Sequence, residues 1–200
     1  ELAVRELLRH LISLAGGRDG QPIRAVVAVP AEALRVSRQN LRSAVKGVAD
    51  GLMIVSEPFA VSYGMDALLH TMIVDIGAGT TDFCVMRGRY PTEEDQRTLT
   101  NAGDSVDEQL MTLVRAKHPD AQFSIFMVRE WKEKWSFVGE APAPVLVTVM
   151  KAAKATQIDI TSEMRRACES VVAPITETMA DLLARVEPEY QERVRHNIIL

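Results

Sequence analysis

Two glycines, two threonines and two aspartates lie close together in the middle of the chain; they are Asp75, Gly77, Gly79, Thr80, Thr81 and Asp82. A glycine adopts backbone angles that a residue with a Cβ resists, and it lets a ligand approach the main chain closely. A turn with successive free amides binds anions. Carboxylate and hydroxyl oxygens beside such a turn suit a hydrated Mg2+. These residue types therefore indicate a site for a phosphate chain with Mg2+.

Apolar runs flank this turn on both sides. Residues 72–74 precede it and residues 83–86 follow it, and Ile73 and Val74 are β-branched, as buried strands prefer. The sequence thus predicts two strands joined by a tight turn. A dinucleotide fingerprint is not indicated, because its glycines must open a helix. For the glycines taken alone, a turn without any ligand stays an open interpretation.

A second candidate group is Glu57. It follows the apolar run 52–55 and stands directly before Pro58, which is tolerated in the first turn of a helix. In open α/β sheets, ligands collect at the carboxyl ends of strands. The residues alone leave two interpretations open, a solvated capping carboxylate and a carboxylate that faces a ligand.

The position of Glu57 depends on the helices and strands predicted for the first third of the chain. Helical spacing of apolar residues predicts helices over 1–14, 34–48 and 58–68, and Gly16-Gly17 stop the first of them. Apolar runs predict strands at 25–29 and 52–55. The run 25–29 is apolar at every position and is followed by Pro30, which is typical of a strand buried on both faces. Strands and helices that alternate in this way predict crossover connections and a largely parallel sheet with the strand at 72–74.

The middle of the chain contains a loop and two helices. Residues 87–96 are predicted as a polar loop, with Glu93, Glu94 and Asp95 as a solvated charge run at its tip. After a strand at 98–101, Asp104 or Ser105 can cap a helix that ends before Pro119. Residues 128–138 are predicted as a surface helix with Trp131 and Trp135 on its packed side.

The last third is predicted as a hairpin followed by helices. Strands at 145–150 and 156–160 enclose a turn at 151–155. The helical pattern from Thr161 contains Pro174, so we expect a first helix to about Val172 and a second with Pro174 in its first turn. Pro188 should end that helix, and residues 198–200 are predicted as a strand.

Composition limits the class of protein. The chain has 200 residues, 47% hydrophobic and 25% charged, which is ordinary for a globular protein, and its net charge of −4 does not favour nucleic acid as a partner. The two cysteines, Cys84 and Cys168, lie in apolar contexts and are expected to be buried free thiols. No apolar run reaches membrane-spanning length, and no signal peptide is recognisable.

The whole pattern Asp-x-Gly-x-Gly-Thr-Thr-Asp between two apolar runs resembles the second phosphate loop of the actin, Hsp70 and sugar-kinase ATPase superfamily. The string Ser-Glu-Pro-Phe-Ala-Val-Ser-Tyr-Gly at 56–64 resembles the Glu-Pro helix start of bacterial actins and Hsp70s. The order of the elements matches as well. The resemblance implies an α/β, actin-like (ribonuclease H-like) fold. Residues 1–70 would be part of domain I, and 71–200 most of domain II, with an inserted subdomain at about 118–160.

Further strings resemble the actin-like filament family that positions magnetosomes; they lie at 75–82, 94–96 with 98–100, 115–119, 137–139 and 187–191. This resemblance implies a cytoplasmic ATPase that polymerises with ATP and Mg2+, with itself and magnetosome-associated proteins as partners. The chain starts without Met and ends on a strand, so we expect a piece of a longer protein. The first phosphate loop should precede Glu1 and the adenosine loop should follow Leu200. The piece alone is therefore expected to bind ATP poorly and to be inactive.

The resemblance also implies roles for individual residues. Glu57 would orient the attacking water, Asp75 would hold Mg2+ through its waters, and Asp82 would order the water shell. Lys132 would pack its stem on adenine and Glu133 would accept from the ribose hydroxyls. The other nucleotide contacts would come from Gly77, Ala78, Gly79, Thr80, Thr81, Gly103 and Asp104. Ala102 stands where the family has the first glycine of its Gly-Gly-Asp segment, which puts close backbone approach there in question.

Three rival functions stay open at the level of sequence. An Hsp70-like chaperone would bind peptides and would not form filaments. A sugar or acid kinase would need a catalytic aspartate facing a sugar pocket, and no such site is recognisable. A non-hydrolysing structural filament or membrane-tethered adaptor would not need Glu57.

Overall fold

The computed structural model describes residues 2–16, 21–33 and 35–200. The chain packs as two compact units. The first contains the described residues up to Asp75, together with Asp82–Thr98 and Pro188–Ile199. The second contains Ile76–Thr81 and Leu99–Glu187, with Leu200. This division by packing does not follow the boundary at residue 70, and the assignment to domains I and II stays a prediction.

The first unit begins with the alternation that the sequence predicts. Its elements are α1 (Leu2–Leu14), β1 (Arg24–Val29), α2 (Arg35–Val45), β2 (Gly51–Ser56) and α3 (Glu57–Gly64). β1 and β2 pair in parallel, from Arg24 opposite Gly51 to Val29 opposite Ser56. Pro58 lies in the first turn of α3, as expected. The predicted helix residue Leu34 and the predicted stop residue Gly17 lie outside the described residues.

Two expectations for these strands are wrong. β1 is not buried on both faces: its residues alternate between exposed and half-buried, and Val26 is 66% exposed, as is Met53 of β2 at 61%. The reason is that β1 and β2 form a two-stranded sheet among the described residues, and the faces of so small a sheet are only partly covered. The third expected strand does not extend this sheet, because it pairs elsewhere.

That third strand is β3 (Leu69–Ile76), which belongs to a sheet of four strands. A tight turn connects it to β4 (Thr81–Arg87), so the predicted hairpin is confirmed. With β5 (Gln96–Leu99) and β9 (Ile198–Ile199), the strand order is β5-β4-β3-β9, and β9 runs parallel to β3. The sheet is apolar at its centre: Ile73, Cys84 and Met86 are buried against Phe59 and Ile199.

The loop between β4 and β5 differs from the expected solvated tip. Glu93 and Glu94 are exposed, but Asp95 is buried. Its carboxylate accepts from Arg89 at 2.7 Å and pairs with Arg87 at 3.0 Å. Burial alone would raise the pKa of Asp95, but hydrogen bonds from Thr92 and Arg89 outweigh it and lower the pKa. Two cations within reach therefore explain why this member of the charge run turns inward.

The second unit consists of helices packed on a small sheet. Its elements are α4 (Gly103–Lys117), β6 (Ala121–Gln122), α5 (Ile125–Trp135), β7 (Leu146–Lys151), β8 (Lys154–Asp159), α6 (Thr161–Glu169) and α7 (Val172–Ala184). The strands are antiparallel in the order β6-β7-β8. Trp131 is buried in the core and Trp135 packs at its margin, which confirms the packed aromatic side of α5.

Three helix boundaries correct the sequence prediction. Neither Asp104 nor Ser105 is the N-cap of α4; the cap position is Ala102, and Ser105 lies inside the helix, where its hydroxyl accepts from the Ala102 amide at 3.0 Å. α6 ends at Glu169, short of Val172, although Pro174 does lie in the first turn of α7. Pro188 does not end α7, which stops at Ala184. It begins α8 (Pro188–Arg195), because the first turn of a helix does not need the proline amide.

The remaining expectations concern the cysteines and membrane spans. Cys84 and Cys168 are both buried and free, as predicted. Burial raises the pKa of the Cys168 thiol, so the neutral form is favoured. Within residues 2–16, 21–33 and 35–200, no helix has the length and apolar character to cross a membrane.

Candidate functional site

A hydrogen bond closes the turn between β3 and β4, and the tip of the turn is exposed. The Gly77 amide donates to the Thr80 carbonyl at 2.9 Å. Gly77, Ala78 and Gly79 are exposed. Within the described part of the chain, the amides of Ala78 and Gly79 donate to no residue. Two successive unused amides at a turn are the arrangement that binds an anion.

The glycines of this turn are not there for their backbone angles. Neither Gly77 nor Gly79 has a positive φ, so the expectation of special angles is wrong. A Cβ on Gly77 would lie 3.3 Å from the Thr80 carbonyl oxygen, which is tight. A Cβ on Gly79 would meet no described atom within 4 Å. Gly79 therefore leaves open space above the main chain, which fits the other predicted reason, close approach of a ligand.

The start of α4 packs directly on the turn. The Gly103 amide donates to the Gly77 carbonyl at 3.1 Å, and the Asp104 amide donates to the Ala78 carbonyl at 2.7 Å. A Cβ on Gly103 would lie 3.3 Å from the Gly77 carbonyl oxygen and 3.1 Å from Lys132 Nζ. Close backbone approach thus occurs at Gly103, and Ala102 does not prevent it.

The side chain of Lys132 contacts the first residues of α4. Its Nζ donates to the Gly103 carbonyl at 2.8 Å and pairs with Asp107 Oδ1 at 2.9 Å. Asp107 is buried, with 1% of its surface exposed. Asp107 is not among the predicted site residues, although its position in the sequence carries a signal. Asp107, Leu110 and Val114 lie three and four residues apart, which places a carboxylate on the apolar face of α4.

Glu133 lies next to Lys132 and is exposed. Both residues line a cavity of ≈ 280 Å³ in the second unit, and its other walls are Val106, Ser136, Phe137, Val138, Cys168 and Val171. The walls are mostly apolar and the two charged side chains are close together. An apolar cavity with a few polar groups is the usual form of a small-molecule site.

In the first unit, Glu57 lies at the first position of α3 and is half-buried. Burial, and then the negative charges of Asp82 and Asp75, raise the pKa of Glu57. A freely solvated capping carboxylate would have neither influence. The structure thus brings two of the predicted catalytic carboxylates, Asp82 and Asp75, near enough to the third to affect the pKa of Glu57.

Asp82 and Asp75 differ in how they are held. Asp82 is buried, and its Oδ1 accepts from the Ala31 amide and from the Thr98 hydroxyl, each at 2.6 Å. Asp75 is half-buried, and its carboxylate forms no hydrogen bond or ion pair with any residue that the structure describes. A half-buried carboxylate without a hydrogen-bond or ion-pair partner fits a cation. Among the described residues, no three histidine, cysteine, aspartate or glutamate side chains converge on one point.

The remaining predicted residues are Thr80 and Thr81. Thr80 is half-buried at the end of the turn. Thr81 is buried, and its hydroxyl donates to the Asn101 carbonyl at 2.7 Å. Thr81 therefore connects the turn to the segment before α4. The nucleotide roles of all these residues stay predictions.

Comparisons with known proteins agree with this geometry. The family model of the MreB/Mbl proteins matches residues 2–200. The actin-like protein MamK of Paramagnetospirillum magneticum is 40% identical over 195 residues, and MamK of Magnetospirillum gryphiswaldense is 39% identical. Each alignment covers 98% of this chain.

Solved structures give the same result. A structure described as a MamK double helical filament superposes with a TM-score of 0.92 at 40% identity, covering 97% of this chain and 60% of that one. A non-polymerising MamK mutant bound to AMPPNP superposes with a TM-score of 0.80. The predicted α/β actin-like fold is confirmed.

The coverage of these relatives is partial. The chain spans 56% of the length of the first MamK relative and 54% of the second. Its resemblance to the magnetosome filament family, stated from short sequence strings, agrees with these identities. The family match over nearly the whole chain leads to one conclusion: this chain belongs to the MreB/Mbl family of actin-like proteins.

Proposed function

We propose that this chain is part of an actin-like protein that binds ATP, hydrolyses it and assembles into filaments. The observation that carries the proposal is the turn at 77–80, with two unused amides and open space above Gly79. Neither backbone angle nor packing accounts for a glycine at 79, and room for a phosphate group does. The relatives described as AMPPNP-bound and as a filament support the nucleotide and the assembly.

Nucleotide binding would use the contacts of the second unit. The amides of Ala78 and Gly79, with Thr80, would bind the phosphates. The amides of Gly103 and Asp104 would stabilise the turn through their hydrogen bonds to its carbonyl oxygens. The cavity beside Lys132 and Glu133 would take the nucleoside, with the Glu133 carboxylate accepting from the ribose hydroxyls.

Hydrolysis would use the carboxylates of the first unit. Phosphoryl transfer to water needs positioning and charge neutralisation more than covalent chemistry. Glu57, with its raised pKa, is suited to orient a water and accept its proton. Asp75 would hold Mg2+ through water, and the metal would neutralise charge on the phosphates. Asp82, fixed by Ala31 and Thr98, would order the water shell.

Assembly and its role are proposed from the relatives. A MamK structure at 40% identity is described as a double helical filament. We propose that the complete protein forms filaments with ATP, that hydrolysis drives their turnover, and that they organise magnetosome chains with magnetosome-associated proteins. Electron microscopy of the complete protein with and without ATP tests the assembly. Polypeptide binding without filaments would favour the chaperone alternative.

A single substitution tests the nucleotide site. Gly79→Val in the complete protein should fold normally, because an added Cβ at 79 meets no described atom within 4 Å and the φ of Gly79 is not positive. It should weaken ATP binding by about tenfold or more, since the side chain would occupy the space of a phosphate. Calorimetric titration with ATP measures this.

The matched control is Gly64→Val, at the end of α3, where an added Cβ also meets nothing within 4 Å. This variant should bind ATP as the unchanged protein does. If Gly79→Val and Gly64→Val bound ATP equally well, the turn at 77–80 would not be the phosphate site.

A further inference from the structure

We propose that Asp107 is a positioning residue that holds Lys132 on the start of α4, and so keeps the phosphate turn and the nucleoside cavity in a fixed relation. The inference deepens the proposed function and rests on it. Every contact that carries it lies within the second unit. The proposal concerns how this site is held together, and Asp107 itself would touch no nucleotide.

First, Asp107 is the buried centre of a cluster of charged side chains with Lys132 and Arg129. Asp107 is buried, and each of its oxygens has its own cation: Oδ1 lies 2.9 Å from Lys132 Nζ, and Oδ2 accepts from Arg129 Nε at 3.2 Å. Arg129 also pairs with the half-exposed Asp104 at 3.0 Å. A buried carboxylate is tolerated only when it is paired, so Asp107 requires these cations.

The second step is the placement of Lys132. A lysine ammonium is a compact charge on a flexible stem, and without a fixed anion it would extend into water. Asp107 fixes it, and the ammonium then donates to the Gly103 carbonyl at 2.8 Å. The same lysine lines the cavity of ≈ 280 Å³ together with Glu133. One side chain is therefore both a wall of the proposed nucleoside site and a bond to the start of α4.

The third step connects Gly103 to the turn. The Gly103 amide donates to the Gly77 carbonyl, and the Asp104 amide donates to the Ala78 carbonyl. These first-turn amides have no partner inside the helix, so the turn is what satisfies them. The contacts run without a gap from Asp107 through Lys132 and Gly103 to Gly77. Loss of the Asp107 charge should therefore loosen the turn.

Amide hydrogen exchange tests this without any nucleotide. In Asp107→Asn, exchange at Gly103 and Asp104 should become about tenfold faster relative to exchange in the middle of α4. The matched control is Glu163→Gln, which removes another buried carboxylate that pairs with α4, at Lys117 and 2.9 Å. That variant should destabilise α4 without a selective effect on Gly103. Equal exchange at Gly103 in both variants would overturn the proposal.

A mutant cycle tests the link to the ligand. In the complete protein, Asp107→Asn should weaken ATP binding by about tenfold. In a Lys132→Met background it should change the affinity by less than about twofold, because the side chain through which Asp107 acts is gone. In an Arg129→Met background the effect of about tenfold should persist. A general structural role would give similar losses in both backgrounds, and that result would overturn the proposal.

The two proposals fail in different ways. If the unchanged protein does not bind ATP, the proposed function fails, and the amide exchange decides whether Asp107 positions Lys132. If the unchanged protein binds ATP and Asp107→Asn binds it equally well, the proposed function stands and the role of Asp107 is excluded.

Discussion

Single carboxylates in this chain differ in whether folding favours their charge. Asp95 and Glu163 are buried with basic partners, and hydrogen bonds hold the pKa of each below its ordinary value against the effect of burial. Glu57 is the opposite case. Burial and the negative charges of Asp82 and Asp75 raise its pKa. The proposed active group is thus the one whose charged form the fold disfavours, as is common at functional sites.

Glu57→Gln should therefore stabilise the folded protein at pH 7 in the absence of nucleotide. A raised pKa means that the folded state binds the proton more tightly than the unfolded state does. The stability from this proton is therefore complete below the ordinary pKa of 4.5 and is lost as the pH rises through the higher folded-state value. The gain from Gln should be present at pH 7 and shrink as the pH falls towards 4.5. Urea unfolding at both values measures it. A destabilised variant at pH 7 would show that the charge of Glu57 has a favourable partner.

Asp95→Asn should have the reverse pH dependence. The pKa of Asp95 is lowered, so its contribution is present above the ordinary value of 3.8 and is lost as the pH falls through the lower folded-state value. We expect a loss of about 2 kcal/mol in the free energy of unfolding at pH 7, because Arg87 and Arg89 lose a buried counter-ion. The difference from the unchanged protein should disappear in strong acid. Glu94→Gln, an exposed neighbour, should change neither value.

At the scale of elements, the turn of the β7–β8 hairpin has a strained backbone. Its register leaves a loop of two residues, Ala152 and Ala153, and both have positive φ, at 45° and 61°. A residue with a Cβ resists this region, and such turns usually contain glycine. Ala153→Gly should raise the free energy of unfolding by about 1 kcal/mol.

Chemical denaturation checks this, with Ala155→Gly as the control. Ala155 is extended and pairs with Met150, so glycine there has no strain to relieve and should cost about 0.5–1 kcal/mol. Stabilisation by both glycines would show that the turn is not the cause.

Elements also show what sequence alone could predict. The hairpin at 71–86 and the split helix at Pro174 were predictable, because local apolar runs and prolines define them. The role of Pro188 was not, since a proline fits both a helix stop and a first turn, and only packing decides. Likewise the burial of Asp95 and Asp107 depends on arginine and lysine partners, and Asp107 is 22 residues from Arg129. The prediction that β1 is buried on both faces was wrong. The burial of a strand depends on the elements that pack on each of its faces, and the residues of the strand itself do not specify them.

At the scale of the whole molecule, hydrolysis should control filament lifetime. Glu57→Gln in the complete protein should lower ATP turnover by about a hundredfold, within the range for a positioned acid–base group. ATP should still bind, because the turn at 77–80 is unchanged. Filaments should then form and outlast those of the unchanged protein. Phosphate release and light scattering on one sample measure both effects, and turnover at the unchanged rate would remove Glu57 from the mechanism.

The pairing of β9 with β3 constrains the order in which the chain can fold during synthesis. Asn197 donates a hydrogen bond to Thr71, which lies 126 residues earlier in the chain. The helices α4 to α8 all lie between β3 and β9 in the sequence. Closing so long a loop is slow, so the outer edge of β3 should stay uncovered until α8 and β9 have left the ribosome. An open strand edge recruits other chains. Ribosome-stalled chains that end at Glu187 should therefore be cleaved by protease near β3, and chains that expose Leu200 should resist.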